Sequence, residues 1–255
     1  MHSADQLINE IRDIDGLKTW SFVVTLFGDL GAGEPIALSG KQVGSVLSRI
    51  GIKPEATRVA LHRLKNDGWI ETSKSGRETL YNLSRQGLAD TRAVYGDVYR
   101  ETVKYPDGWV LYLLPPDQSV SQDQSGSVIE VQRNLFLAPK TLTGSDQSAL
   151  VLELNGAKPP AWFADQLVPP HSLLIAEKLN RLSAKALSLA NQTPAFELAV
   201  IWLLILHHWR KMALRETTWA HIWLQEEGSL AECHRCVSNL VKQIPNPGAE
   251  RLFGT

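Results

Sequence analysis

The sequence predicts an α+β protein with three parts: an N-terminal winged helix-turn-helix, a small central domain that contains strands, and a helical C-terminal domain. A capped helix, a tight turn, a second helix and two alternating strands follow one another between residues 39 and 83. Strands are predicted again after Pro106, and from Ser172 onward the apolar residues recur at helical spacing. The expected domains are residues 1–104, 105–171 and 172–255.

The first part is predicted to begin with two helices, at residues 5–15 and 19–30, in which apolar residues recur every three or four positions. A third helix begins at Ser39. The Ser39 hydroxyl can accept a hydrogen bond from the backbone N–H of Gln42, whose side chain can reach back to the Ser39 backbone, as in a capping box. Gly51 ends this helix.

The second helix of the pair is the stretch PEATRVALHRLKND, residues 54–67. Pro54 stands in the first turn, where its missing N–H costs no hydrogen bond. Two strands around a turn at residues 74–77 follow this helix. In this order the helix takes the place of a recognition helix and the hairpin that of a wing. The side of the helix predicted to face the core carries Thr57, Ala60, Leu61 and Leu64.

Positive charge is concentrated in this motif. Nine Lys and Arg residues lie between Ser39 and Arg85 against four Asp and Glu, a local net charge of +5, whereas the whole chain has a formal net charge of −1. A basic helix-turn-helix indicates a double-stranded DNA partner. The alternative is that these charges only keep a winged helix soluble and that the domain binds another protein.

The residues predicted to contact DNA follow from their places in the motif. In the major groove, Arg58 could bond to both O6 and N7 of a guanine. The wing tip and the first turn of the preceding helix would contact the phosphate backbone. The predicted DNA-binding residues are Lys41, Thr57, Arg58, His62, Lys65, Lys74 and Arg77, with Thr57 at the border between core and groove.

The central part is predicted to contain three strands and a short helix. GWVLYLLPP, residues 108–116, is a buried strand by its apolar run. The polar segment Asp117–Ser127 is predicted to be a mobile loop. VIEVQRNLFLAPK and ALVLELNG are each predicted to form one strand, and PAWFADQL a short helix.

The C-terminal part is predicted to contain a long helix from Pro194 to about Arg215. Its apolar run Ala195–Leu206 is too short to cross a bilayer, which takes about 20 residues, so a buried helix is expected. Together with the polar N-terminus and only two cysteines, this predicts a cytoplasmic protein without a membrane partner.

HHWRK, residues 207–211, ends this helix and has two interpretations. Histidines and cationic side chains are favoured at a helix C-terminus by the macrodipole alone. Alternatively, His207, Trp209 and Arg210 form an effector-binding pocket, in which Trp209 stacks on the ligand and Arg210 binds an anion. The sequence leaves both interpretations open.

Neither catalysis nor metal or redox chemistry is predicted. Cys233 and Cys236 form CHRC within a helical segment, and zinc would need a second pair of ligands, so two small, partly buried residues are expected. GxSxG, P-loop and HExxH motifs do not occur in the sequence. We therefore expect no enzyme, no cofactor and no metal.

Four parts of the chain resemble the phenylacetic-acid degradation repressor (PaaX-like) family of bacterial transcriptional regulators. They are TWSFVVTLFGD, TRVALHRLKNDGWI with SGRETLYNLSRQG, GWVLYLLP with NLFLAP, and ILHHWRKMALRE. The resemblance implies an N-terminal winged helix, a central ferredoxin-like (Cas2-like) domain and a helical C-terminal domain. It also implies a homodimer that binds inverted-repeat operator DNA as the repressor of a catabolic operon and responds to an aromatic acyl-CoA such as phenylacetyl-CoA.

The chain departs from that family pattern in two places. Asp117–Ser127 is short for the arginine-bearing helix that the family has between its first central strands, and ETTWAHIWL stands where the family has an Asp-Pro turn. The Cas2-like resemblance also raises a metal-dependent nuclease as a further alternative. Such a nuclease needs an acidic ligand at the end of the first central strand, where this chain has LLPP, Leu113–Pro116.

Overall fold

Helices and two antiparallel sheets make up the chain, which confirms the predicted α+β class. The computed structural model describes residues 4–31, 36–104, 107–116, 128–140, 149–154, 160–244 and 248–253. The helices are α1 (Ala4–Arg12), α2 (Thr19–Gly31), α3 (Gly40–Arg49), α4 (Pro54–Asn66), α5 (Arg85–Val98), α6 (Ala161–Asp165), α7 (Pro170–Leu189), α8 (Ala195–Ala213), α9 (Glu216–Leu224), α10 (Ser229–Gln243) and α11 (Gly248–Phe253). The strands are β1 (Leu38–Ser39), β2 (Ile70–Ser75), β3 (Glu78–Leu83), β4 (Trp109–Leu113), β5 (Ile129–Gln132), β6 (Leu135–Pro139) and β7 (Leu150–Glu153).

Helix α3 begins with the predicted capping box and ends in a short turn before α4. The Ser39 hydroxyl accepts a hydrogen bond from the Gln42 N–H at 3.2 Å, and the Ser39 N–H donates to Gln42 Oε1 at 2.8 Å, so the capping box is confirmed. Gly51 ends α3 with a φ of +80°, a conformation that costs a glycine little. Pro54 then opens α4. The chain therefore reverses between the two helices within a few residues.

A hairpin follows α4. Strands β2 and β3 pair from Ile70–Leu83 to Ser75–Glu78, and β1 adds to the free side of β3. Gly76 begins the two-residue loop with a φ of +59°, the conformation that a type II′ turn requires at its first position. The hairpin is thus a regular one, with Lys74 and Arg77 close to its tip.

The hairpin is joined closely to α5. The Ser84 hydroxyl accepts the Gly87 N–H at 3.0 Å, and the Ser84 N–H donates to the Trp69 carbonyl oxygen at 3.1 Å. A Cβ atom on Gly87 would lie 2.1 Å from that same carbonyl oxygen, which is closer than any side chain can approach. Because Trp69 lies directly before β2, α5 begins against the entrance of the hairpin.

The central sheet has the strand order β5-β6-β4-β7, with every pair antiparallel. VIEVQRNLFLAPK forms two strands where the sequence predicts one, and this prediction is wrong. The chain turns at Asn134, which has a φ of +64°, a conformation that Asn tolerates better than most residues. The predicted loop Asp117–Ser127 lies outside the described residues. So do residues 141–148, so the ferredoxin-like arrangement of helices on this sheet stays a prediction.

One hydrophobic core joins the two ends of the chain. Its buried side chains come from α1 to α4 and, far along the sequence, from α7, α8 and α10. Helix α8 is buried without a break from Ala199 to Trp209, about three turns, so it is enclosed on all sides and the predicted buried helix is confirmed. No helix of the described chain has the length and apolar character to span a membrane.

A buried carboxyl group ties α8 to α2 and α5. The indole Nε1–H of Trp202 donates to both oxygens of Asp29, at 3.2 and 3.3 Å, and the Tyr99 hydroxyl donates to Asp29 Oδ1. Burial raises the pKa of Asp29 from its ordinary 3.8 to about 6, although both donors oppose this shift by favouring the carboxylate. The folded protein therefore binds this proton more tightly than the unfolded chain does.

This raised pKa predicts a pH-dependent effect of Asp29→Asn. The contribution of Asp29 to stability is present below about pH 4 and is lost as the pH rises through about 6, because the charged form is disfavoured in the fold. Asparagine keeps an acceptor oxygen and does not ionise. We expect the free energy of unfolding of the variant, relative to the parent protein, to rise by about 1 kcal/mol between pH 5 and pH 8 in urea titrations.

The matched control for this measurement is Asp13→Asn. Asp13 is exposed and its pKa is lowered by the hydrogen bond from Arg12, so its charge is the same at both pH values and the difference should not change. An Asp29→Asn difference that is equal at pH 5 and pH 8 would contradict the prediction.

Candidate nucleic-acid interface

Helix α4 has one buried face and one polar, exposed face. Its buried side chains are Thr57, Ala60, Leu61 and Leu64, which pack towards α2 and the hairpin. The opposite face carries exposed side chains, namely Glu55, Arg58, Val59, His62, Arg63, Lys65 and Asn66. The sequence pattern predicts this division because residues three and four apart share a helix face.

A groove of about 560 Å³ lies between α4 and the hairpin. Arg58, His62 and Lys65 form its helical side, and Lys74 lies on its strand side. The structure thus brings together four of the seven residues predicted to bind DNA. Helix α4 positions three of them by its period, and the β2–β3 register places Lys74 opposite Thr79, next to the turn.

The basic side chains at this groove are not used to hold the fold together. Arg58, Lys65 and Lys74 have no hydrogen-bond or ion-pair partner among the described residues, and neither does Arg77 in the hairpin loop beside the groove. Two other cations of the same motif are engaged. Arg63 lies 3.5 Å from an oxygen of Asp67 and 4.8 Å above the ring of Trp20, and Arg49 bonds to Asp5. The unpaired cations are therefore available to an anionic partner, and three of them line the same groove.

His62 is oriented by Asn66, one turn further along α4. The amide Nδ2 of Asn66 lies 3.2 Å from Nδ1 of His62. Because an amide nitrogen only donates, Nδ1 accepts, and in the neutral ring the proton is on Nε2. His62 therefore presents a hydrogen-bond donor at Nε2, a group that can bond to a base or a phosphate.

The three remaining predicted residues lie elsewhere. Thr57 is only 4% exposed and its hydroxyl donates to the Lys53 carbonyl oxygen at 3.4 Å, so it belongs to the core face and not to the groove. Lys41 is exposed in the first turn of α3, and Arg77 lies in the hairpin loop beyond the groove lining. We correct the prediction for Thr57 because its position, three residues before Ala60, places it on the buried face.

Two exposed residues of α4 were missed by the sequence analysis. Val59 is 69% exposed and shares a shallow depression with Arg58, His62 and Asn66. Helical spacing places both Val59 and Asn66 on the exposed face, so a count of positions along the helix could have found them. An aliphatic residue was not expected among the exposed side chains of a predicted recognition helix.

HHWRK, the predicted effector segment, holds α8 to the N-terminal helices. His208 Nε2–H donates to the Ile11 carbonyl oxygen at 2.8 Å, and Trp209 Nε1–H donates to that of Val98 at 2.9 Å. His207 Nδ1 lies 3.0 Å from the Thr25 hydroxyl. His207 and Trp209 are almost fully buried, at 0 and 1% exposure, and burial lowers the pKa of both His207 and His208.

Trp209 therefore does not form a stacking wall for a ligand. Its ring packs edge-on against Trp219 and beside His234 in the C-terminal helices. The same holds for His207, which lies edge-on to Phe22. The effector-pocket prediction is wrong for these two side chains, because the helix that carries them is enclosed by protein on all sides.

Arg210 alone of the predicted effector residues borders a cavity. An apolar pocket of about 200 Å³ lies between α2, α5 and α8, and Arg210 is the one cationic residue among the described residues that line it. The guanidinium donates from Nε to the Thr25 hydroxyl at 3.1 Å and from Nη2 to the Ser21 carbonyl and hydroxyl oxygens. Trp69, between α4 and β2, also lines this pocket.

The cysteines are placed as the sequence predicts. Cys233 is buried and Cys236 is half-buried on α10, and burial raises the pKa of both thiols. Across the described ranges, no group of three or more His, Cys, Asp or Glu side chains is arranged to hold a metal ion.

The groove and its supporting helices lie in the region of the chain that matches known proteins. Residues 18–87, from the start of α2 to the start of α5, match a family model described as PaaX-like protein. Over 154 residues the chain is 32% identical to the transcriptional repressor PaaX of Escherichia coli (strain K12), an alignment that covers 58% of this chain and 47% of that protein. The chain thus spans about half the length of this curated relative. These matches confirm the predicted resemblance, which the family model locates at residues 18–87.

Proposed function

We propose that the protein is a cytoplasmic DNA-binding transcriptional repressor that uses a winged helix-turn-helix. The observation that carries this proposal is the groove in which Arg58, His62 and Lys65 of α4 meet Lys74 of the hairpin, all exposed. A protein gains nothing in stability from unpaired like charges held side by side, whereas a DNA backbone neutralises them. The relative named as a transcriptional repressor supports the same function.

In this proposal α4 is the recognition helix and lies in the major groove. Arg58 bonds to O6 and N7 of a guanine, and His62 offers its Nε2 donor to a neighbouring base. Lys65, Lys74 and Arg77 bind phosphates on both sides of the groove, and Lys41 at the start of α3 binds a phosphate on the other strand. The residues assigned to DNA are thus Lys41, Arg58, His62, Lys65, Lys74 and Arg77.

We further propose a homodimer that binds an inverted repeat. Strand β7 lies at the edge of the central sheet and exposes three aliphatic side chains, Leu150, Val151 and Leu152. An edge strand of this kind pairs readily with another chain, and a symmetric pairing gives a twofold dimer. This supports residues 105–171 as a ferredoxin-like dimerisation domain between the winged helix at 1–104 and the helical domain at 172–255.

The effector in this proposal is an aromatic acyl-CoA such as phenylacetyl-CoA. The apolar pocket beside Arg210 supports it by size, because a cavity of about 150 Å³ holds a benzene ring and this one has about 200 Å³. The coenzyme itself is too large, so only the acyl group would enter. Since Trp69 lines the pocket and lies three residues after the end of α4, a bound ring would contact the segment that joins the recognition helix to the hairpin.

Arg58→Ala is expected to weaken binding to an operator duplex, selected by the protein from a random-sequence pool, by about 1–3 kcal/mol, because the bidentate contact to guanine is lost.

Lys74→Ala should weaken binding to all duplexes alike and reduce the slope of log Kd against log salt by about 0.9. Fluorescence anisotropy with labelled duplexes in a salt series measures both effects.

Arg181→Ala is the matched control, since Arg181 is an exposed arginine on α7, outside the groove. Its affinity for DNA should equal that of the parent protein. An affinity for DNA that does not depend on the salt concentration would favour the alternative of a winged helix that binds protein. So would an affinity for DNA that is the same for Arg58→Ala and the parent protein.

Phenylacetyl-CoA is expected to stabilise the protein by about 2.7 kcal/mol at 100 times its Kd, while free CoA should not, because it lacks the ring. Val94→Trp fills the pocket from α5 and should abolish this effect without lowering the melting temperature of the unliganded protein. Differential scanning fluorimetry measures these shifts. Equal shifts with both ligands, or in both proteins, would exclude this pocket as the effector site.

A further inference from the structure

Helix α4 exposes one aliphatic side chain in the middle of its polar face. Val59 is 69% exposed, more than any other large hydrophobic residue in the described part of the chain. Between β1 and the end of β3 no second large hydrophobic side chain is comparably exposed. A single exposed valine is unremarkable on an arbitrary surface, but this one lies on the surface assigned to DNA.

The position of Val59 on the helix is central. At 100° per residue, Val59 and His62 each lie roughly 150° from the centre of the buried face, on either side of the line directly opposite the core. Arg58 and Lys65 lie further round, towards the hairpin. A side chain at the centre of the exposed face of a recognition helix points to the floor of the major groove, and residues in the first half of such a helix contact bases.

Folding does not account for a valine at this position. Its side chain touches no part of the core, so its burial contributes nothing to stability. A β-branched residue is also a poorer helix former than alanine or the long polar residues around it. The choice of an apolar group here is therefore explained by what the exposed face contacts in a complex.

We propose that Val59 is a specificity-determining residue that reads the 5-methyl group of a thymine. This inference rests on the proposed DNA binding and adds a second kind of contact to it. The thymine methyl is the apolar group that the base pairs present in the major groove, and aliphatic side chains recognise it by direct contact. The depression formed by Val59, Arg58, His62 and Asn66 gives the methyl group a place beside donors that bond to the adjacent bases.

The test uses the whole 255-residue chain and duplexes that it selects from a random-sequence pool. Each thymine of a selected duplex is replaced in turn by deoxyuridine, which lacks only the methyl group. We expect at least one replacement to weaken binding of the parent protein by about fourfold, the effect of one buried methyl group. For Val59→Ala the same replacement should change the affinity by less than twofold. Val59→Ala should melt at the same temperature as the parent protein or slightly higher.

Leu174→Ala is the control variant, because Leu174 is an exposed aliphatic residue on α7. It should keep the full sensitivity to deoxyuridine. The inference is overturned if no deoxyuridine weakens binding, if Val59→Ala shows the same loss as the parent protein, or if the selected duplexes contain no thymine. Failure to select any duplex would instead overturn the proposed DNA binding, and this inference with it.

Discussion

The last two turns of α8 carry five consecutive side chains that each bond to a helix or loop from the other end of the chain. His207 and Arg210 meet α2, His208 meets the end of α1, Trp209 meets α5, and Lys211 meets Asp15 in the loop between α1 and α2. Because consecutive helix residues point about 100° apart, five such bonds require protein on every side of the helix. The position of the N-terminal helices therefore depends on α8.

Loss of these hydrogen bonds would destabilise the fold. His207, His208 and Trp209 are buried, and a buried polar group without a partner costs about 1–3 kcal/mol. The apolar run that precedes them supplies the burial energy and the polar groups fix the rotation and register of the helix. The groove between α4 and the hairpin is thus built on a frame that includes the C-terminal half of the chain, since α4 packs on α2 and α2 packs on α8.

The sequence predicts correctly those features that depend only on neighbouring residues. The Ser39 capping box, the bounds of α4 and the hairpin at Gly76 all follow from neighbouring residues, and so does the exposed side of α4 with Arg58, His62 and Lys65. Thr57 shows the limit of the same method, because residue type suggested a border position while the helical period places it with Ala60 and Leu64. The turn at Asn134 was missed because one apolar run hides two short strands.

The sequence could not decide between the two interpretations of HHWRK, for a different reason. The pattern fixes the direction of each side chain around α8, but it contains no information on which distant segment lies there. His207 and Trp209 therefore could not be assigned to a pocket or to a core before the packing of α8 against α2 and α5 was known. Val59 was missed because an aliphatic side chain is normally counted with the core.

Gly87 allows a close contact between α5 and the entrance of the hairpin. Since the Trp69 carbonyl oxygen occupies the space of a side chain at Gly87, the first turn of α5 is in contact with the backbone directly before β2, with no side chain between them. Helix α5 and the entrance of the hairpin are therefore held in direct backbone contact. Any side chain at position 87 would have to displace α5 from the hairpin.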